Sequence, residues 1–244
     1  KKMKNSVTET FNIDVPIFAF SHCRDVVAAV SKAGGFGVLG AVGHSPDALE
    51  IDLKWIEDEV GEHPYGVDLI VPAKYEGSDE GGLTVHKIAD MIPDAHHEYV
   101  TQILEKYDVP ELAETKTGQF SMKNDGAAPM SAGTAGPQLE IALAHNPSLV
   151  VNALGPPPQF MIDRVKEAGR KVGALAGKAQ HAERHVNAGV DLIIAQGYEA
   201  GGHTGEIGSM VLIPEIVDAV GDVPVLGAGG IGRGRQMAAA MALG

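Results

Sequence analysis

The sequence has one cysteine, Cys23, and one tryptophan, and Phe, Tyr and Trp together make up only 5% of its 244 residues. A single thiol cannot close an internal disulfide, so the expected setting is a reducing cytoplasm. Cations are scarce as well: 19 Lys and Arg stand against 32 Asp and Glu, a formal charge of −13. Nucleic acid and anionic membrane surfaces both require a basic face, so neither is an expected partner. No apolar run approaches the roughly 20 residues needed to span a bilayer, and the Lys-Lys-Met-Lys start has no apolar signal core behind it. With those classes set aside, an apolar fraction of 44% and a mean hydropathy close to zero describe a globular chain able to fill a substantial core. A small-molecule partner and a homo-oligomeric state remain open.

Glycine is abundant, with 31 residues, and its placement carries the fold. Lys32-Ala-Gly-Gly-Phe-Gly-Val, Glu167-Ala-Gly-Arg-Lys-Val and Asn187-Ala-Gly-Val-Asp-Leu each end a helical pattern at glycine and pass directly into a β-branched or apolar run. The unit repeats. Apolar runs at 15–20, 36–41, 65–71, 148–154, 171–176, 190–195 and 223–227 read as strands. Helical patterns follow at 24–34, 45–60, 158–169, 178–189, 212–220 and 233–243, the second opening on Ser45-Pro46, a capping residue followed by proline at the first helical position. Seven strands alternating with helices predict a parallel sheet under helices, either an open doubly wound sheet or a (βα)8 barrel, and the count favours the barrel.

One domain over residues 1–244 is expected, interrupted by a long insertion at 72–146. That stretch contains the glycine-rich turn at 77–82, a helix near 97–107 and a polar run at 115–136, and reads as a helix with a flap. Ala242-Leu-Gly244 repeats the helix-exit cue where an eighth strand would begin, so the natural protein is expected to continue beyond it.

In a parallel barrel the ligand site lies at the carboxyl ends of the strands. Two loops there are rich in glycine. Asp191-Leu-Ile-Ile-Ala-Gln-Gly-Tyr-Glu-Ala-Gly-Gly-His-Thr-Gly205 is a buried strand ending in a loop with one histidine, and Gly227-Ala-Gly-Gly-Ile-Gly-Arg-Gly234 joins the seventh strand to a helix. Exposed N–H groups at such a helix start make a phosphate site. The second loop also satisfies G-x-G-x-x-G, but a dinucleotide fingerprint follows the first strand of its unit and needs an acidic residue about twenty positions on. His203 is the candidate catalytic residue, because a histidine titrating near neutrality can take a proton from a carbon acid or, once protonated, hold an anion.

The run Ala195-Gln-Gly-Tyr-Glu-Ala-Gly-Gly-His203-Thr-Gly205 resembles the signature of the nitronate monooxygenase (2-nitropropane dioxygenase) family of FMN-dependent TIM barrels. The resemblance implies FMN as cofactor and an alkyl nitronate, with O2, as substrates, giving a carbonyl compound and nitrite. It implies that Gly201, Gly202, Gly229 and Gly230 hold the FMN phosphate and that Gln196, Asp68, Ala19 and Phe20 contact the flavin. Many members read Gly-Val-Asn where this chain has Gly66-Val67-Asp68, which replaces an amide by a carboxyl. Members also often read Pro-Ile-x-Gln-Ala-Pro-Met where this chain has Pro16-Ile-Phe-Ala-Phe-Ser-His22, so polar Ser21 and His22 take a place commonly held by Pro and Met beside the flavin; His22 reads equally as a substrate contact or second acid/base and as a solvated loop residue. Flavin-dependent NAD(P)H:quinone or enoyl-thioester reductases share these loops, and a non-catalytic barrel binding a phosphorylated ligand is a third reading. His181 and His185, four apart, read as a solvated helix face, as do His96-His97-Glu98; no metal is expected at either. Cys23 reads as a small buried bystander.

Overall fold

The computed structural model describes residues 3–73, 83–110 and 131–244. In chain order the elements are α1 (Ser6–Phe11), β1 (Phe18–Ser21), α2 (Arg24–Lys32), β2 (Phe36–Gly40), α3 (Pro46–Val60), β3 (Tyr65–Leu69), α4 (Val85–Asp90) and α5 (Asp94–Lys106). They continue with α6 (Ala132–Ala144), β4 (Leu149–Asn152), α7 (Gln159–Glu167), β5 (Lys171–Ala176), α8 (Ala179–Ala188), β6 (Leu192–Gln196), α9 (Ser209–Val220), β7 (Val225–Ala228) and α10 (Gly234–Ala242). The seven strands form one parallel sheet in the order β1 to β7, each bonded to the next in sequence. This is the progression of a (βα)8 barrel with one strand fewer, as expected. A doubly wound dinucleotide sheet would instead reverse its strand order at the first strand, so the dinucleotide reading of Gly227 to Gly232 falls. Along the seam between β1 and β7 runs an open groove of about 940 Å³, lined by Pro16, Phe18, Ile213, Val225, Met237 and Met241 among others.

The helix exits take the conformation their sequence asks for. Gly34, Gly169 and Gly189 have φ of +87°, +70° and +102°, where a Cβ would cost roughly 1–2 kcal/mol. Strand ends fall within one to three residues of the sequence reading, and Ser45 caps α3 through its hydroxyl, which accepts from Ala48 N–H at 3.3 Å.

Alternation along the strands sorts side chains into two cores. Leu39, Val67, Val150, Val172, Ile193 and Ala195 face the helix layer. Phe36, Val38, Leu149, Val151 and Leu192 face the bore, with Phe18, Leu175, Ile194 and Leu226 against them. The amino-terminal end of the bore is closed by α1, which contributes Val7 and Phe11. Phe11 meets Phe18 and Phe36 edge-on at 5.4 and 5.0 Å between ring centroids, and Phe18 stacks on Phe36 at 4.6 Å. Gly66 makes room for this plug: a Cβ there would lie 2.8 Å from the Phe36 ring.

The sequence reading contains neither α1 nor α6. Six residues carry too little periodicity for α1, which is fixed by an Asn5–Thr8 capping box. In α6 the Gly-Thr-Ala-Gly-Pro opening reads as loop, yet Ala135, Leu139 and Ala142 form a buried stripe against the core. Residues 132–144 are therefore a barrel helix and not part of a flap, which corrects the assignment of all of 72–146 to an insertion. The expected glycine turn at 77–82 and most of the polar run at 115–136 lie outside the described residues. Among the described residues no helix is long and apolar enough to cross a membrane.

Below the sheet, α6 is tied to α3 by a charged network. His145 places Nδ1 2.9 Å from Glu57 and Nε2 3.0 Å from Glu50, while Glu57 also accepts from Asn146 N–H at 2.7 Å and from the Tyr65 hydroxyl at 3.2 Å. Burial opposes the His145 charge, but the two carboxylates outweigh it and raise its pKa above 6.5. Burial likewise raises Glu57, but the bonds from His145 and Asn146 win and hold it below 4.5. The His145 contribution is thus fully present below 6.5 and fades as pH rises through the higher folded value. That of Glu57 is present above 4.5 and fades as pH falls through the lower folded value. Replacing His145 by Gln is expected to cost about 1 kcal/mol near pH 5.5 and much less near pH 9, read from urea midpoints; equal losses at both would contradict it.

Candidate active site

Each strand delivers its inward side chains to the carboxyl end of the bore. Strand parity places Phe20 from β1, His22 just past its end, Gly40 from β2, Asp68 from β3, Gln196 from β6 and Ala228 from β7 on this upper rim. Phe20 is 56% exposed and packs edge-on to the His22 ring at 5.1 Å. Both rings cover Gly40, where a Cβ would lie 2.6 Å from Phe20 and 2.8 Å from His22. The Nδ1 of His22 donates to the Gly40 carbonyl at 2.9 Å, which leaves Nε2 to meet a ligand. Ala19 has the opposite parity, pairing with Gly37 on the side that faces α2, so its side chain is turned away from the rim.

Asp68 is 8% exposed, and its carboxyl has no hydrogen-bond or ion-pair partner among the described residues. Its inward neighbours in register are Gly40 and Val151. Burial, with nothing charged to offset it, pushes the carboxyl well above the usual carboxylate range. Gln196 is half-buried, and its amide likewise has no partner among the described residues.

The two glycine-rich loops are locked together. The loop after β6 begins with a 3-10 turn, Tyr198–Ala200, whose Glu199 accepts from the Ser209 N–H at 2.9 Å and from its hydroxyl at 3.0 Å at the start of α9. These bonds, that of the Ser209 N–H first, hold the Glu199 carboxyl below its usual range. Ser209 Oγ also lies 2.9 Å from the Gly229 carbonyl, which joins the loop after β7 to the same node. Gly197 and Gly229 permit this approach: their Cβ atoms would lie 2.1 and 2.9 Å from Ser209 Oγ. Gly201 and Gly202 differ. They have φ of +80° and +69°, and a Cβ on either would enter open space, as a ligand cradle requires. Gly230, at φ +71°, stands over the Glu199 side chain. His203 follows Gly202, is exposed, and makes no hydrogen bond among the described residues.

A sequence model for the family described as nitronate monooxygenase matches residues 3–244. The chain belongs to that family. A Mycobacterium tuberculosis protein named as a candidate monooxygenase is 51% identical over 242 residues, covering 99% of this chain and 64% of its own length. A Staphylococcus saprophyticus protein named as a candidate nitronate monooxygenase is 30% identical over 258 residues, covering 100% of this chain and 65% of that one. The chain thus spans just under two thirds of the curated relatives it matches. Among solved structures, nitroalkane oxidase from Streptomyces ansochromogenes superposes with a TM-score of 0.71 at 27% identity, covering 98% of this chain and 65% of that one. FabK from Thermotoga maritima gives 0.70 at 26%, covering 100% and 60%.

Several sequence readings on this family barrel change. Cys23 is exposed at the start of α2, not buried. His185 is buried, not solvated: its Nε2 donates to the Leu175 carbonyl at 3.1 Å, and burial pushes its pKa down. His181, His96 and His97 are exposed as expected, and among the described residues no three potential ligands gather around a metal position. A histidine the sequence did not single out sits just beyond β2. His44 is buried, with Nε2 3.0 Å from Asp52, whose other oxygen is 2.8 Å from Arg24. The Arg24 guanidinium lies over Trp55 at 4.7 Å, and Gln138 of α6 donates to the carbonyls of Ala41 and His44 at 3.1 and 2.8 Å. Helices α2, α3 and α6 so hold the β2 loop in place. No local sequence pattern signals this cluster.

The contrast between the glycines is testable. Gly229→Ala combines a φ of +114° with contacts at 2.9 Å to Ala200 N and Ser209 Oγ, so it should lower stability by roughly 2–3 kcal/mol in thermal unfolding. Gly201→Ala meets open space and should cost roughly 1 kcal/mol. Equal losses would show that the loops are not interlocked.

Proposed function

We propose that the protein is an FMN-dependent oxidoreductase that converts alkyl nitronates, with O2, to carbonyl compounds and nitrite. The observation carrying this reading is the open glycine cradle at Gly201 and Gly202, fastened to the loop after β7 and followed at once by the exposed His203. The reading also draws on membership of the nitronate monooxygenase family and on the likeness to a nitroalkane oxidase. The residues present fit the cofactor: two glycines of positive φ leave room for a phosphate, and two polar side chains without partners, Gln196 and Asp68, stand on the rim of the bore. Glu199 is no obstacle, since Ser209 holds its carboxylate at the start of α9.

When bound, FMN would supply the redox chemistry, taking electrons from the substrate and passing them to O2. The chain supplies the rest. Backbone N–H groups at Gly201, Gly202, Gly229 and Gly230 would hold the phosphate, Gln196 and Asp68 the ring, and Phe20 an apolar wall beside it. The carbon next to a nitro group is acidic, and His203, without an internal partner, would take its proton or, once protonated, pair with the nitronate oxygens. His22, whose Nδ1 is engaged with the Gly40 carbonyl, would offer Nε2 as the substrate contact. Below the rim the aromatic plug fills the amino-terminal end of the bore with apolar side chains.

An anaerobic absorbance titration of the purified protein tests this. Propyl-2-nitronate should bleach bound FMN and NADH should not. Bleaching by NADH alone would move the protein to a flavin-dependent quinone or enoyl-thioester reductase, and FMN bound but inert to all substrates would leave only a ligand-binding barrel. Within the oxidase reading, His203→Asn should retain FMN and lose roughly a hundred-fold or more in turnover, as for loss of a general base; unchanged turnover would remove His203 from the reaction.

A further inference from the structure

The carboxyl of Asp68, on the bore side of β3, belongs to a residue only 8% exposed and has no hydrogen-bond or ion-pair partner among the described residues. In register with it are Gly40 on β2 and Val151 on β4; below, on its own strand, Gly66 packs on Phe36. The groups facing it carry no charge: β2 offers Phe36, Val38 and Gly40, and β4 offers Leu149 and Val151. The helices packed on β3, α2 and α6, lie on its other side. The titratable group on the nearest stretch of rim is His22, already engaged with the Gly40 carbonyl. An ionised carboxylate left there would lose most of its hydration, gain no hydrogen bond from the protein and meet no cation, a cost that protonation relieves. The carboxyl accordingly sits well above the ordinary range. A protonated carboxyl differs from a carboxylate in having a donor. A buried donor on the rim, without an internal acceptor, is suited to an acceptor brought by a ligand.

We propose that Asp68 enters the site as a neutral carboxylic acid and donates its O–H to an acceptor atom on the bound flavin ring, so that cofactor affinity depends on this one proton. The inference rests on the FMN reading above and adds to it the protonation state of the contact. No anion approaches the ring from β3, and the carboxyl supplies the donor that an amide would otherwise provide. Above the Asp68 pKa the contact inverts: a carboxylate would face ring acceptors, and FMN would be released.

Two measurements test this on the same protein. In the infrared, the cofactor-free wild type at pH 7 should show a protonated-carboxyl C=O stretch that disappears in Asp68→Asn; its absence from the wild type would overturn the neutral-acid assignment. FMN affinity, followed by flavin fluorescence from pH 6 to 10, should fall in the wild type by up to about tenfold per pH unit above the Asp68 pKa. Asp68→Asn should stay flat near the wild-type value at low pH, since its amide donates at every pH, and Asp68→Leu should be weak and flat. A wild-type profile parallel to that of Asp68→Asn would overturn the donated hydrogen bond. Failure of FMN to bind any of the three would overturn the cofactor reading itself, and the ring contact with it, whatever the infrared band shows.

Discussion

Everything at the mouth of this barrel depends on the way its lower bore is filled. Parallel strands buried on both faces must place every second side chain inside, and an interior left empty loses dispersion contacts on all sides. Here the rings of Phe11, Phe18 and Phe36, with Val7 from α1, close the amino-terminal end. Gly66 is the concession that lets Phe36 in. Because the lower layers are filled by apolar side chains, the inward positions that carry polar chemistry are confined to the carboxyl ends of the strands. Asp68 stands at the top of this filling, with Gly40 and Val151 as its inward neighbours.

Much of this was legible in the residues, and for identifiable reasons. Glycine at a helix exit is demanded by a left-handed backbone, and Gly34, Gly169 and Gly189 all adopt one. The strand runs are nearly continuous apolar segments because both faces are covered, and the glycine-rich loops announce themselves. What escaped detection depends on contacts made at long range. The helix α6 hides behind Gly133, Gly136 and Pro137 and is held by packing of Leu139 and Ala142, not by propensity. His44 and His185 look like any polar residue until partners on other elements, Asp52 and the Leu175 carbonyl, are brought to them. Parity fixes which way Asp68 points, but only its neighbours decide that it stands alone.

The site glycines also show that one residue type serves two opposed purposes. Gly197 and Gly229 are small because other atoms already occupy the space, Ser209 Oγ above all. Gly201 and Gly202 are small while the space beside them is open. The four are indistinguishable in the one-letter string. Their separation comes from a single serine at the start of α9 whose hydroxyl touches both loops. A scaffold that fixes the loop bases so tightly can leave the loop crests free to receive a ligand.

The long excursion between β3 and α6 is fastened at both ends by buried hydrogen bonds. The Asn152 amide oxygen accepts from Val71 N–H at 2.8 Å where the chain departs, and Gln138 grips the β2 loop where it returns. Both anchors belong to the barrel and neither draws on α4 or α5. Closing a loop costs only about 0.6 kcal/mol more for each doubling of its length, so a rewritten excursion would leave the cost of folding the barrel almost unchanged. Evolution can thus shorten, extend or exchange this stretch, which starts at the carboxyl end of β3, as a cassette, and so diversify what approaches the site without reopening the problem of building it.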